Sequence, residues 1–379
     1  MNAELRRFLE LCLRARHDGA AWMEVRARAE RDRLNWNRLV AAAVRQRVAP
    51  LLYSTLRDAS FVPRAARQRL QRAYLINAHH NVVLLHETEA VVADLERAGV
   101  PTIVLKGAAL IQSVYGHIAM RPLMDVDLLI RREHLAAALG VVAAHGFAPH
   151  RPETRAGAAA AFENELLLIK PGHVPVPLEI HWSLFDSPYY QQRLDLDFCW
   201  RTAVPLRLGQ TATRMLGPEA QLLHLCGHLV LHHGGDDLLW EEDIAAFVRL
   251  YGKDLDWRSL CARAVEFDLV IPLQRLLLEP VEGPAIVIPP AALDQLRGLR
   301  PSMDEVRIVA YLTAEKRSVA QRFWSDLAST SSWRQRVAYA WTHLVPSAAY
   351  MGARYQIVHP LLLPFYYPYR WLRGLRGRD

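Results

Sequence analysis

Long apolar runs are missing from this 379-residue chain. No stretch approaches the ~18 to 20 apolar residues that a membrane-spanning helix needs, and the most apolar segment near the end is broken by Pro360, Pro364 and Pro368. The opening residues MNAELRRFLELCLRARHDG interrupt every apolar run with Arg or Glu, so they lack the apolar centre of a secretory signal and read as an amphipathic helix. A cytoplasmic location is the expectation. Cysteine is sparse: Cys12, Cys199, Cys226 and Cys261 lie far apart without a C-x-x-C pair, which excludes a disulfide framework and a zinc ribbon. Lysine is scarcer than arginine, occurring only at Lys106, Lys170, Lys253 and Lys316. No P-loop, G-x-G-x-x-G, G-x-S-x-G or kinase signature occurs. Walker-type hydrolysis, dinucleotide redox chemistry and serine hydrolysis therefore lose their usual support.

What is present is an apolar content of 51% and a net charge of +7. The first is ample for a large core; the second suits an anionic partner such as a nucleotide, a nucleic acid or a membrane surface. Apolar residues recur at helical spacing through residues 1–99, a helical region punctuated by Pro50 and Pro63. At residues 100–187 the pattern changes. VPTIVLK is a short β-branched run ending at Gly107, AALIQSVYG a helix, MDVDLLI a second strand, HLAAALGVVAAHGF a second helix, and LLLIK and VPLEIHWSL two further strands. Strands alternating with helices predict an α/β core there. Residues 188–379 read as helical throughout, including 219–233, 240–251, 257–267 and 271–278. No internal repeat separates the three regions.

In M-D-V-D-L-L-I the two-residue period of a strand places Asp125 and Asp127 on one face. Two such carboxylates repel and lose solvation, so they call for a cation. Hard divalent ions such as Mg²⁺ take oxygen ligands and phosphate oxygens together. A D-x-D alone equally describes a solvated edge strand, and its neighbours favour the metal reading. Upstream, V-L-K-G ends a strand at a glycine and opens a helix, where backbone N–H groups can face a phosphate. Downstream, P-L-E-I-H-W places Glu179 and His181 on one face of another apolar strand, and a third carboxylate completes a two-metal site.

The runs L-K-G-A-A-L-x-x-x-x-Y, R-P-L-x-D-V-D-L-L-I and L-E-I-H-W together resemble the uncharacterised bacterial nucleotidyltransferase family of the polymerase-beta superfamily. The resemblance is strong from about residue 100 to 182 and continues more loosely through P-E-A-Q-L-L-H-L-C-G-H and L-L-W-E-E-D-I-A. It implies an α+β fold, a mixed sheet with helices flanked by N-terminal and C-terminal helical regions. It implies transfer of a nucleotidyl group from an NTP, ATP first among them, to an acceptor hydroxyl or phosphate. The cofactor implied is Mg²⁺, or Mn²⁺ in its place. Residue by residue, it makes Gly107 the glycine of the phosphate-contacting turn, Asp125 and Asp127 the metal pair, and Glu179 the third carboxylate and a proton acceptor. Two positions depart from the wider superfamily: Lys106-Gly107 replaces Gly-Ser, and Glu179 replaces aspartate. These departures keep alive an inactive nucleotide-binding or scaffolding protein of the same fold. An RNA-modifying nucleotidyltransferase is a third reading, without a recognisable RNA-binding module.

Lys106 can meet a triphosphate as a point charge and Arg121 as a bidentate fork, or either can balance the acidic pair. His181 can hydrogen-bond a metal-bound carboxylate. His224, His228 and His232 recur every four residues beside His233, which is zinc spacing without the glutamate of H-E-x-x-H. A polar helix face towards the substrate, with His228 and Asp243 on the acceptor side, is a better expectation than zinc, and a helix-helix contact with satisfied histidines stands equally beside it. Glu165 and Asp186 stand next in line as carboxylates. The tail YQIVHPLLLPFYYPYRWLRGLRGRD suits a membrane interface or an acidic partner, with docking on its own domain the favoured expectation and its prolines arguing against one continuous helix. Because the aspartates repel, replacing either is expected to leave thermal stability unchanged or raised without metal.

Overall fold

Period-two patterning in the middle of the chain produces a seven-stranded mixed sheet in the computed structural model, which describes residues 3–31, 34–278, 286, 288–314, 318–330 and 332–375. The strands are β1 (Ile103–Val104), β2 (Val126–Leu129), β3 (Ala148–Pro149), β4 (Glu165–Lys170), β5 (Val176–His181), β6 (Val204–Leu208) and β7 (Thr211–Met215), in the order β3-β4-β5-β2-β1-β7-β6. β2 runs parallel to β5 and β1 parallel to β7; the other neighbours are antiparallel.

Alternation then divides the side chains between two cores. Val104, Val126, Leu128, Leu178 and Ile180 enter one core with Leu84, Leu85 and Leu95 of the 34-residue helix Arg64–Arg97 and Ala138 and Val142 of the helix Leu135–Ala144. Ile103, Leu105 and Leu129 point the other way, into a core with Leu222, Leu225, Phe247, Leu260 and Leu273 from the later helices. Helices thus cover both faces, as an apolar mixed sheet requires.

The first four helices, Ala3–Arg14, Gly19–Arg31, Trp36–Arg45 and Ala49–Leu56, form a third core. Phe8, Leu9, Cys12 and Leu13 keep the three- and four-residue spacing that makes one face apolar. The long helix spans about 51 Å at 1.5 Å per residue. It ties this core to the sheet, burying Leu70 in the first and Leu84 to Leu95 in the second.

The expectation of helix throughout residues 188–379 is corrected by β6 and β7. They form a hairpin that joins the sheet beside β1. Leu206, Leu208, Thr213 and Met215 are buried while Arg207 and Arg214 face out. Pro205 and those arginines dilute the apolar signal, and Gly209, at φ +58°, makes the tight turn. The terminal prolines also break less than expected. A short turn at Pro360–Leu362 leads into the helix Leu363–Leu375, which carries Pro368 inside it. No helix among the described residues is long and apolar enough to cross a membrane.

Candidate active site

Where β2 and β5 run side by side, Asp127 pairs in register with Glu179, and the same alternation puts His181 on their face. β4 adds Glu165, in register with His181. Three carboxylates thus meet one imidazole across three adjacent strands. Asp127 is 2% exposed. It accepts a hydrogen bond from Lys106 Nζ at 2.6 Å and lies 2.9 Å from His181 Nε2. His181 Nε2 is also 3.3 Å from Glu179, and its Nδ1 is 3.1 Å from Glu165. Lys106 reaches Glu179 at 3.9 Å.

These contacts make the two aspartates unlike each other. Burial alone would raise Asp127, but the Lys106 charge and His181 hold it well below the usual carboxylate range. Asp125, just ahead of β2, has no such partner among the described residues. Burial, Asp127 and Glu179 push it up to about 7, against a smaller pull from Lys106 and Arg121. His181 stands at about 9: burial and Lys106 oppose its proton, but hydrogen bonds to Asp127 and Glu179 and the charge of Glu165 prevail. The expectation that loss of either aspartate leaves stability unchanged is therefore corrected for Asp127, which neutralises a buried ammonium.

Lys106 takes an unusual backbone conformation for a lysine, φ +45°, at the turn out of β1. Next to it, a Cβ on Gly107 would lie 1.9 Å from Arg121 Nη1, so only glycine allows the guanidinium to pass. Arg121 is buried, with Nε 3.1 Å and Nη2 2.8 Å from Asp243 Oδ2. It lies 5.3 Å from the centre of the Trp240 ring. Asp243 is fully buried and also accepts from the Tyr115 hydroxyl at 2.7 Å. It fixes Arg121 from behind and does not line the cavity in front.

That cavity, about 280 Å³, is lined by Lys106, Gly107, Arg121, Asp125, Asp127, Glu179, His181 and His228. Every expected site residue except Asp243 therefore borders one space. Glu165 and Asp186 border it as well. His228 lies on the helix Pro218–His233, stacked 4.8 Å from His232 and 3.1 Å between Nε2 atoms from His233. Burial and the nearby Lys106 hold His228 well below the ordinary imidazole value, so it is neutral there. His224 is buried deeper and is likewise held neutral by burial.

Arg47 and Trp240 in the cavity wall escaped the sequence reading. Arg47 comes from the N-terminal helices and is held by Asp237; no local pattern could have announced it. His232, 3.3 Å from Asp186, and His233 and Trp240 complete the wall. Two asparagines beneath the site were also missed. Asn81 donates to the carbonyls of Ile118 and Arg121 and accepts from the Leu123 N–H, while Asn77 donates to the Ala119 carbonyl. They pin the segment that delivers Arg121 and Asp125. Two polar residues within the apolar face of a long helix were the available signal.

Residues 32–278 match the family described as uncharacterised nucleotidyltransferase, and the chain belongs to that family. No curated protein matches it. Among solved structures, an antigenic nucleotidyltransferase-like protein from Paracoccidioides brasiliensis is similar at 18% identity over 52% of this chain and 92% of that one, with a TM-score of 0.31. That likeness is too slight to carry an argument.

Proposed function

From membership of that family as a premise, we propose that the chain transfers a nucleotidyl group from an NTP, ATP foremost, to a hydroxyl or phosphate of an acceptor and releases pyrophosphate. The observation that carries this reading is the meeting of Asp125, Asp127 and Glu179 with Lys106 and Arg121 around one cavity. Carboxylates and fixed cations facing a common space are what a metal-bound triphosphate requires.

The residues fit a divalent cation. One oxygen each of Asp127 and Glu179 and a nitrogen of His181 lie within 4.8 Å of one another, and Asp125 adds a half-buried carboxylate that lines the same cavity. The ligands would be the oxygens of Asp125, Asp127 and Glu179, a set that suits Mg²⁺ or Mn²⁺, with His181 beside Asp127 at 2.9 Å. Such an ion, when bound, neutralises phosphate charge and lowers the pKa of an attacking hydroxyl. Lys106 and Arg121 would orient the phosphates, Arg121 from a position fixed by Asp243. Glu179 would accept the hydroxyl proton, and His181 would hold Asp127 and Glu179 in place. A neighbouring cavity of about 320 Å³ shares Asp186 and His232 with the first and is bordered by Phe185, Tyr190 and Arg322. It offers room for the acceptor.

One observation favours a second reading, an inactive protein of the same fold: Lys106 Nζ already neutralises Asp127 at 2.6 Å. The deciding experiment is pyrophosphate release by purified protein with Mg²⁺ or Mn²⁺ and each NTP, with and without RNA, beside Asp125→Asn. Release by wild type and not by the variant supports transfer. Metal-dependent nucleotide binding without release supports the inactive protein, and release only with RNA supports an RNA acceptor.

A further inference from the structure

We propose that the helices following residue 318 form a docking face for an anionic membrane surface, independent of the nucleotidyltransferase reading. The helix Trp333–Leu344 turns Tyr339 and Thr342 inward. Trp333, Val337, Trp341 and Leu344, spaced four, four and three apart, form a single stripe on its outer side and are 70, 61, 57 and 44% exposed. The same spacing recurs at the chain's last described helix and the turn before it. There Leu361, Phe365, Tyr369 and Leu372 form a second stripe, each at least 46% exposed. A soluble surface seldom carries two such stripes without a partner.

The stripes meet. Trp371 Nε1 donates to the Leu344 carbonyl at 2.7 Å, and the last turn of the first stripe borders a groove of about 440 Å³ with Phe323, Trp324, Arg370 and Trp371. Trp324 is itself exposed. Apolar residues of three helices therefore border one groove, with a stripe on each of two of those helices beside it.

Its charge selects the partner. Residues 318–375 contain Arg322, Arg334, Arg336, Arg354, Arg370 and Arg373, no lysine, and a single acid, Asp326. Asp326 is half-buried and accepts from the Tyr339 hydroxyl at 3.2 Å. Arg334 lies over the Trp333 ring at 5.6 Å and Arg373 over Tyr369 at 5.7 Å, so cations accompany the apolar stripes. Tryptophan, tyrosine and arginine around aliphatic side chains suit the headgroup boundary of an acidic bilayer. Single-stranded RNA would use the aromatics and arginines but has no use for Val337, Leu344, Leu361 and Leu372, which cannot stack on bases. With no spanning helix among the described residues, the face would lie in the membrane plane.

The test is co-sedimentation of the full chain with vesicles of phosphatidylcholine alone or with about 30% phosphatidylglycerol, at low and high salt. The variants are Trp333→Ser with Val337→Ser, and Phe365→Ser, all at exposed positions. Circular dichroism and thermal melting verify that they fold. The expected result is binding to the phosphatidylglycerol vesicles only, weakened by salt, with a blue-shifted tryptophan emission. Either variant should raise the lipid concentration for half-binding by roughly tenfold or more. Absence of binding to acidic vesicles, or equal binding by folded variants, overturns the proposal. So does finding, without lipid binding, that the substitutions abolish self-association in sedimentation velocity or binding to a single-stranded RNA oligomer, which would assign the face to a second copy or to RNA.

Discussion

Asp125→Asn and Asp127→Asn should have opposite effects on stability, although the two residues look equivalent in D-V-D. Asp125 has its carboxyl pushed from 3.8 to about 7 by burial and by Asp127 and Glu179. A group raised in the folded state contributes stability that is fully present below its unfolded value and is lost as pH rises through the folded value. Wild type should therefore lose stability between about pH 4 and pH 8, by at most ~4 kcal/mol for a rise from 3.8 to about 7. Asp125→Asn abolishes that loss and should be the more stable protein at pH 8 in EDTA. Asp127 is the reverse case, its pKa depressed by Lys106 and His181. Its contribution is present at neutral pH and fades only as acid protonates it. Asp127→Asn leaves Lys106, 8% exposed, with Glu179 alone at 3.9 Å. Breaking a buried pair costs roughly 3 to 5 kcal/mol, and the remaining partner places this one towards the lower end. Urea denaturation at pH 5.5 and 8 in EDTA measures both, and the same titration with Mg²⁺ and ATP should show ligand stabilisation in wild type alone. An Asp127→Asn protein that matches wild type at pH 8, with Asp125→Asn destabilised there, would refute the unequal roles of the two aspartates.

Gly107→Ala drives a methyl into Arg121, so Arg121 must leave Asp243. The variant should melt several degrees lower and lose most ATP affinity, and near-normal values in both measurements would remove the glycine from the site's design. Glu179→Gln keeps shape but loses the proton acceptor; nucleotide binding should persist while turnover falls on the order of a hundredfold, and equal loss of both would make Glu179 a ligand only. Asn81→Ala strands the buried carbonyl of Arg121 and the part-buried one of Ile118 and should cost about 2 kcal/mol in urea unfolding; an unchanged midpoint would show that the Arg121 segment holds itself in place.

The sequence by itself determined the alternating segments, hence the central strands, and the local pairs Asp125/Asp127 and Glu179/His181. A two-residue period can place side chains on a face without knowledge of the rest of the chain. It missed the β6–β7 hairpin because Pro205, Arg207 and Arg214 thin the apolar signal, and β6 lies at the sheet edge with β7 alone beside it. Only tertiary structure decided that Asp127 is paired and Asp125 is not, since the difference is a lysine 21 positions earlier. It likewise joined Arg121 to Asp243 across 122 positions and Asn81 to the segment before β2 across 40. Charge interactions depend on distance and burial in space, and no periodicity along a chain records either.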